Sequence, residues 1–210
     1  MTKVAIVDYG LANIRSVVNA ISCFDADVIV AETGVALADA DRIVLPGVGS
    51  FDAGMRGLRT RGHDVALTHR VLRDGTPFLG VCLGLQFLME GSEEGRESGL
   101  GWFDGKVARF PSGPDKPKIP HMGWDTVTRR DGPNNRLFRD LVPPYEFYFV
   151  HSYYVADEGS AGGAATSLCA HGIEFVAALE RDNICAVQFH PEKSQLAGMK
   201  MLEAFVKGPW

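Results

Sequence analysis

The sequence has no apolar run close to the roughly 20 residues that a membrane-spanning helix requires. The apolar stretch near its start, within MTKVAIVDYG, is too short for a secretory signal. Cysteines are few, at positions 23, 82, 169 and 185, and they form neither a C-x-x-C pair nor the spacing of a zinc site. These absences predict a cytoplasmic protein without a metal, in which Cys23, Cys169 and Cys185 are small buried hydrophobic residues.

The chain also lacks an excess of basic charge. It has 26 acidic and 21 basic residues and a formal net charge of −5, whereas proteins that bind duplex nucleic acid normally present a basic face. No repeat, low-complexity tract or linker interrupts the 210 residues. With 46% hydrophobic and 22% charged residues the composition is typical of a globular protein, and we expect one domain over 1–210.

The first half of the chain alternates short apolar runs with helical patterns. The runs are apolar throughout, which is typical of a parallel sheet covered by helices on both faces. Strands are predicted at 3–8, 27–31, 42–46 and 77–81. One helix is predicted to contain 65–72. Another is predicted over 11–24, where apolar residues recur every three or four positions at Leu11, Ile14, Val18 and Ile21.

From about residue 100 the pattern changes to strands separated by turns. We predict a surface loop at 91–99, a final helix over 194–206, and strands within 101–110, 124–130, 146–155, 174–180 and 184–190. The predicted fold class is therefore α/β, with a mostly parallel sheet covered by helices and an added antiparallel strand region in the second half.

The segment GVCLGLQ at 80–86 places a cysteine between a predicted strand and a helix-like run, LGLQFLM. Gly80 and Gly84 flank Cys82 two residues away on each side, as in a nucleophile elbow with cysteine in the serine position. Such a turn is strained and leaves no room for neighbouring side chains, and it places the thiol at a helix N-terminus that favours the thiolate. The Leu83 amide would then face an oxyanion, and Gln86 would share a helix face with Cys82. A buried cysteine in a glycine-rich turn is the alternative.

The segment AVQFHPEKS at 186–194 ends an apolar strand with His190, Pro191 and Glu192. In an extended chain residues 190 and 192 point to the same side, and Pro191 stops further strand pairing. The pair would lie at the carboxyl end of a strand, where α/β sheets carry their sites. With Cys82 it would complete a set of nucleophile, base and orienting group. A buried, hydrogen-bonded histidine is the alternative.

A third segment, PGVGSFDAG at 46–54, follows the predicted strand 42–46. It matches neither G-x-G-x-x-G nor a P-loop. We interpret it as an amide-bearing loop beside Cys82, in which Gly47, Val48 and Gly49 provide a second oxyanion donor. A simple glycine-rich turn is the alternative.

These three segments, in this order and at these separations, resemble the class I (triad-type) glutamine amidotransferases over nearly the whole chain. DYGLANIRSV at 8–17, PHMGW at 120–124 and FYFVHSYY at 147–154 are similar to the glutaminase subunits of imidazole glycerol phosphate synthase, in histidine biosynthesis. Family members that serve anthranilate, GMP or carbamoyl phosphate synthesis share the triad, but often have His where this chain has Leu85.

The resemblance implies a flavodoxin-like core and a glutaminase that uses no cofactor. Cys82 would attack the amide carbon of L-glutamine, and His190 would protonate departing ammonia and then activate water. Glu192 would orient the imidazole, and the amides of Leu83 and 47–49 would hold the oxyanion. The substrate-binding positions of the family correspond here to Gln86, His151, Ser152 and Tyr153.

The resemblance also implies a protein partner, because free ammonia is protonated at neutral pH and ammonium is not a nucleophile. The partner would be the (β/α)₈-barrel cyclase subunit of imidazole glycerol phosphate synthase, which would form a heterodimer with this chain and receive ammonia through a shielded passage. Since Met and Trp are enriched at interfaces, the candidate docking residues are Pro120, His121, Met122, Gly123 and Trp124.

Two other functions stay open on the sequence alone. One is an amidotransferase subunit of another synthase, such as the anthranilate type, which assays with each synthase partner would distinguish. The other is a cysteine hydrolase of the same fold, or a catalytically silent binding module, although an intact triad argues against silence.

Overall fold

The computed structural model describes residues 1–11, 13–130, 136–156 and 164–210. The α-helices are α1 (Ile14–Ile21), α2 (Phe51–Thr60), α3 (His63–Leu67), which continues into a π-helix (Thr68–Arg73), α4 (Leu83–Gln86) and α5 (Gln195–Lys207). The strands are β1 (Thr2–Val7), β2 (Ala26–Ala31), β3 (Arg42–Gly47), β4 (Phe78–Cys82), β5 (Gly91–Ser92), β6 (Lys106–Arg109), β7 (His121–Arg129), β8 (Tyr145–His151), β9 (Tyr153–Val155), β10 (Ala165–Ala170), β11 (Glu174–Arg181) and β12 (Ile184–Val187).

Within the described ranges, the main sheet has the strand order β2-β1-β3-β4-β12-β11-β10-β7-β8. The strands from β2 to β12 pair in parallel, in the order of a flavodoxin-like sheet. The strands from β12 to β8 pair antiparallel, and a small second sheet has the order β5-β6-β9. The predicted fold class, with its antiparallel extension, is confirmed.

Helices cover both faces of the inner parallel strands, which explains why those strands are mostly apolar. Met55 of α2 and Leu67 of α3 belong to the buried cluster on one face. Val17 of α1 and Phe205 of α5 belong to the cluster on the other face. Because β3, β4 and β12 are neighbours and parallel, their carboxyl ends meet at one edge of the sheet. No helix among the described residues combines the length and apolarity needed to cross a bilayer.

Two predicted boundaries in the first half were wrong. Helix α1 begins at Ile14, since Gly10 N–H donates to Asp8 Oδ1 in a turn that precedes it, and Leu11 is 43% exposed. The loop predicted over 46–54 ends at Ser50, and α2 begins at Phe51. A Cβ at Gly54 would overlap the Phe87 ring, so this glycine permits close packing of a helix rather than a turn.

The second half and the cysteines differ from prediction in four further places. Strand β10 was not predicted because its residues, ATSLCA, are mostly small, and its pairing with β11 and β7 outweighs their weak strand preference. Only β6 is extended within 101–110, and the loop at 91–99 begins with the short buried strand β5. Cys23 is exposed, whereas Cys169 and Cys185 are buried as predicted. Cys23 lies in a short 3₁₀ segment after α1 that turns its thiol back toward the Asn19 carbonyl.

Candidate active site

Cys82 ends β4 in a strained backbone conformation, with φ of 55° and ψ of −109°. Residues other than glycine rarely adopt a positive φ, and such strain clusters at functional sites. The flanking glycines are required by close approach: a Cβ at Gly80 would lie 2.8 Å from the Gly84 carbonyl oxygen, and one at Gly84 would overlap the Leu45 carbonyl oxygen. The elbow that the sequence predicts is therefore present.

Helix α4 begins directly after Cys82 but is shorter than predicted. It contains only Leu83–Gln86, because the carbonyls of Phe87, Leu88 and Met89 accept hydrogen bonds from Leu100, Trp102 and Gly101 instead of continuing the helix. The Leu83 N–H is in the first turn and so has no intrahelical partner, which leaves it free to donate beside the thiol. A helix this short has a small dipole, and neighbouring side chains must provide most of the stabilisation of a thiolate.

His190 and Glu192 meet as predicted, but not for the predicted reason. His190 Nδ1 and Glu192 Oε1 are 2.8 Å apart, and both side chains are buried. Strand β12 ends at Val187 and residues 191–193 form a 3₁₀ turn, so an extended chain does not align the pair. The His190 N–H donates to the Tyr148 carbonyl at 2.9 Å, which fixes the start of this turn against β8.

The second ring nitrogen of His190 is directed toward the thiol. Burial alone would lower the pKa of His190, but the neighbouring Cys82 and then Glu192 outweigh it and raise that pKa to about 10. His190 Nε2 is buried without a hydrogen bond of normal geometry to any described residue, as is common for a catalytic base before substrate binds. The arrangement favours a protonated His190 ring between the Cys82 sulfur and the Glu192 carboxylate.

Two buried glutamines connect the Cys82 thiol to Tyr153 at the start of β9. Gln188 Nε2 lies 3.6 Å from Cys82 Sγ and can donate to it. Gln86 Nε2 donates to Gln188 Oε1 and to the Tyr153 carbonyl, each at 3.0 Å. Sequence reasoning missed Gln188, although a polar residue inside the apolar run ICAVQF was a usable signal.

The loop after β3 lies against the elbow. Gly47 pairs with Cys82 in the sheet register, and a Cβ at Gly47 would lie 2.5 Å from that of Leu83, so only glycine fits there. Gly49 has φ of 96°. The buried Tyr9 hydroxyl makes no hydrogen bond of normal geometry to a described residue, yet the Val48 amide is close enough to oppose the rise that burial causes in the pKa of Tyr9.

These elements enclose a pocket of about 310 Å³. Its lining joins the predicted nucleophile, base, loop and substrate segments, namely Val48, Gly49, Cys82, Leu83, Gln86, Glu94, Pro120, Val150, His151, Ser152, Tyr153 and His190. Gly47 and Glu192 do not line the pocket. They contact residues that do, since Gly47 pairs with Cys82 in the sheet and Glu192 is 2.8 Å from His190 Nδ1. Glu94 was not predicted, because it comes from the acidic stretch 91–99 that reads as a plain surface loop. Its Oε2 accepts the Phe51 N–H at the start of α2, at 2.8 Å.

A row of histidines leads away from the pocket into the sheet. His151 Nδ1 lies 2.8 Å from the Tyr153 carbonyl, and its Nε2 lies 3.0 Å from His121 Nδ1. Burial lowers the pKa of His151 to about 3 and that of His121 to about 4, so both rings are neutral near pH 7. His171 stacks on His121 with ring centroids 4.2 Å apart.

The predicted docking segment 120–124 divides into exposed and buried positions. Pro120 is exposed, and Met122 and Trp124 are 62% and 48% exposed. The His121 ring is instead buried against Phe149 and His171, and thus offers no surface. Large, solvent-exposed apolar side chains next to a pocket are typical of an interaction site.

Comparison with known proteins places this geometry in a family context. The sequence profile of the family "Glutamine amidotransferase class-I" matches residues 5–208. A Methanococcus maripaludis protein named imidazole glycerol phosphate synthase subunit HisH 2 is 43% identical over 204 residues, covering 97% of this chain and 98% of its own. A Thermosynechococcus vestitus protein named imidazole glycerol phosphate synthase subunit HisH is 46% identical, covering 97% and 95%.

Solved structures agree on the fold. A structure described as a glutamine amidotransferase superposes with a TM-score of 0.72 at 15% identity, covering 96% of this chain and 98% of its own. A chain of the PurLQS structure from Thermotoga maritima superposes with a TM-score of 0.70 at 16% identity, covering 97% of both chains. At these identities the likeness extends to the fold alone.

Proposed function

This chain belongs to the class-I glutamine amidotransferase family, and from that premise we propose that it is the glutaminase subunit of an imidazole glycerol phosphate synthase, serving histidine biosynthesis. The subfamily rests on full-length relatives of that name at 43–46% identity. The observation that carries the chemistry is the convergence of Cys82, His190 and Glu192 on one pocket.

The proposed reaction hydrolyses L-glutamine to glutamate and ammonia through a thioester. The Cys82 thiolate attacks the side-chain amide carbon, and the His190 imidazolium donates its proton to the departing ammonia. The neutral imidazole then takes a proton from the water that attacks the thioester, and the Cys82 thiolate leaves. This step restores the thiolate and the imidazolium and releases glutamate and a proton. Glu192 holds Nδ1 at 2.8 Å and stabilises the imidazolium.

The oxyanion of each tetrahedral intermediate would be bound by two backbone amides. Leu83 N–H is one donor, and the loop of Gly47, Val48 and Gly49 supplies the other. The Val48 amide is near the Tyr9 hydroxyl, and we propose that an amide of this loop turns toward Cys82 when the partner docks, which completes the oxyanion hole. The loss of one such donor costs about 10²–10³ in rate, which is enough to gate the enzyme.

Substrate recognition follows from the charges of glutamine. Glu94 is the carboxylate among the described pocket-lining residues, and it complements the α-ammonium group. Gln86 is already engaged with Gln188 and Tyr153, so its role is to position them. The backbone of 151–153 forms the opposite wall of the pocket.

The ammonia would pass to a (β/α)₈-barrel cyclase subunit in a cytoplasmic heterodimer. The exposed side chains of Pro120, Met122 and Trp124 form the docking surface, and Pro120 also lines the pocket, so docking at this surface touches the wall of the site. The chain acts as one domain over 1–210, as the family match over 5–208 suggests.

Chemical labelling together with an assay tests this proposal. A diazo-ketone analogue of glutamine should alkylate Cys82 and spare Cys23, which is exposed and so serves as an internal control. Glutamate release should require the barrel partner for full rate. Labelling of Cys23 but not Cys82, or no glutaminase activity with any amidotransferase partner, would contradict the proposal.

A further inference from the structure

Three metal-binding side chains converge at the distal end of the histidine row, outside the active-site pocket. His121, Asp125 and Cys169 each present one ligand atom, and these three atoms all lie within 4.8 Å of one another. His121 and Asp125 are four residues apart on β7, a separation of about 13 Å along a flat strand. Gly123 between them has φ of 135°, a glycine-favoured conformation that lets the strand bend and brings the side chains together. Cys169 comes from β10, the sheet neighbour of β7.

Hydrogen bonding directs a lone pair of His121 at this cluster. The Tyr153 carbonyl can only accept, so His151 Nδ1 carries the hydrogen and His151 Nε2 accepts. His121 Nδ1 must then donate to His151 Nε2 at 3.0 Å, and His121 Nε2 keeps its lone pair. That nitrogen lies 3.3 Å from Asp125 Oδ2, which is a second acceptor. A shared proton would satisfy these two atoms, whereas a metal ion would also bind the nearby thiol of Cys169.

We propose that His121 Nε2, Asp125 Oδ2 and Cys169 Sγ bind a zinc ion, with water in the fourth position. Tetrahedral zinc with bonds of about 2.0–2.2 Å to nitrogen and oxygen places those two ligands about 3.4 Å apart, close to the 3.3 Å separation of His121 and Asp125. A mixed nitrogen, oxygen and sulfur set suits zinc better than the hard cations magnesium or calcium.

The surroundings have the properties of a metal site. The other ring nitrogen of a metal-binding histidine normally donates to a fixed acceptor, which His151 provides, and stacking against His171 holds the His121 ring plane. The Asp125 side chain is 38% exposed, so an ion and its water can enter. A thiol binds zinc as the thiolate, so one proton leaves for each ion bound.

Sequence spacing could not reveal this site, because its ligands come from two strands. Zinc would bind the 120–124 segment to β10 on one side and, through His151, to the Tyr153 carbonyl at the pocket wall on the other. The ion would thus fix the backbone that carries the docking surface.

Metal titration of a variant without the active-site thiol tests this site. Cys82→Ala removes the other thiol that lies beside a histidine. After chelator treatment, this variant should bind one zinc ion in competition with a chromophoric chelator, and cobalt in its place should give a thiolate charge-transfer band. Adding Cys169→Ser should abolish the band and weaken zinc binding at least tenfold. Adding Cys23→Ser should change neither.

Asp125→Asn provides a second variant at a partly exposed position. It should weaken zinc binding at least tenfold and keep the thiolate band at saturating cobalt. The proposal is overturned if the Cys82→Ala protein binds no zinc, or if Cys169→Ser and Asp125→Asn both leave affinity and spectrum unchanged. Metal binding is measured without any turnover, so the outcome is independent of the glutaminase assignment.

Discussion

At the scale of single residues, the position of one proton decides how the site begins its reaction. His190 is buried, and burial alone disfavours a charged ring. Two neighbours reverse that preference: Cys82 on one side and Glu192 on the other. The resting site therefore favours a protonated His190 ring, which is held between the Cys82 sulfur and the Glu192 carboxylate.

This charge state predicts a titration that depends on the thiol. In the wild-type protein His190 should titrate at about 10, well above the ordinary value for histidine. In Cys82→Ala the largest favourable interaction is lost while burial remains, so the pKa should fall by at least one unit. NMR of ¹⁵N-labelled histidine measures both values. Equal pKa values of His190 in the two proteins would show that Cys82 does not stabilise the protonated ring.

Substitution of the base and substitution of its carboxylate partner should lower turnover by different factors. His190→Asn removes the proton donor and the base, and kcat should fall by about 10²–10⁴. Glu192→Gln removes only orientation and imidazolium stabilisation, so it should cost less. Steady-state kinetics of both variants, with circular dichroism to establish that each is folded, makes the comparison. A larger loss in Glu192→Gln than in His190→Asn would reverse the roles.

Glu94 should affect binding rather than chemistry. Glu94→Gln keeps the shape of the side chain and can still accept the Phe51 N–H, but it loses the charge that complements the glutamine ammonium. KM should rise at least tenfold with kcat changed less than about threefold, the signature of lost ground-state binding. Asp64→Asn, on α3 and away from the pocket lining, is the matched control. A fall in kcat at unchanged KM would contradict this role.

The predictable residues were those that a short motif constrains. One strained turn requires Gly80 and Gly84 on either side of Cys82. One short segment, 186–194, contains both His190 and Glu192. Gln188 and Glu94 were not predicted, because their roles depend on contacts across the fold. Gln188 meets Gln86 from 102 positions away, and Glu94 reaches α2 from a loop 43 positions later.

At the scale of elements, the site depends on how closely β3 approaches α4. The turn after Cys82 brings Gly84 against the Leu45 carbonyl, where no side chain fits. Alanine is intrinsically better than glycine in a helix by about 1 kcal/mol, and overpacking costs about 1–3 kcal/mol. Because the obstructing atom is backbone, overpacking should be the larger effect.

Gly84→Ala should therefore destabilise the protein. We expect the free energy of unfolding to fall by about 1–2 kcal/mol, which is the upper part of the overpacking range less the gain in helix preference, measured by urea denaturation. Gly91→Ala is the control, since a Cβ there would lie 3.7 Å from its nearest neighbour, the Glu97 carbonyl oxygen. It should change stability by less than about 0.5 kcal/mol. Equal effects at both positions would show that the elbow is not closely packed.

Elements were predictable where composition and burial agree. The strands 3–8, 42–46 and 77–81 are apolar because both faces of the sheet are covered there, whereas 27–31 forms β2 at the end of the sheet, where Val30 is 44% exposed. All four assignments were confirmed to within one residue. Helix α2 was missed because its glycines serve packing against Phe87 and Tyr9. Strand β10 was missed because its small residues are extended only through their neighbours in the sheet.

At the scale of the whole molecule, the proposed docking surface and the pocket have Pro120 in common. Trp124→Ala should lower the stimulation of glutaminase activity by the barrel partner at least tenfold, while leaving Cys82 alkylation in the isolated chain unchanged. Val65→Ala, also exposed but on α3, should leave the stimulation unchanged. Kinetics at increasing partner concentration distinguishes the two causes: weaker docking raises the concentration needed for half-maximal stimulation, whereas weaker activation lowers the maximal stimulation. Full stimulation in Trp124→Ala would exclude this surface.

The gating account predicts a slow isolated chain. In the proposed gate the second oxyanion donor turns into place only when the partner docks, so the isolated chain should hydrolyse saturating glutamine at least about 10²-fold more slowly than the complex. Glutamate release with and without the partner and its bound substrate measures the ratio. Equal rates would refute the gate and leave the triad assignment intact.

The most direct measurement compares two nitrogen sources in the complex with the barrel partner. Cys82→Ala removes only the means of releasing ammonia from glutamine. Glutamine-dependent synthesis of imidazole glycerol phosphate should fall by at least about 10³-fold, while synthesis from added ammonia stays within about twofold of wild type, since the partner's chemistry is untouched. Near-normal glutamine-dependent turnover in Cys82→Ala would contradict the assignment of this chain as the glutaminase.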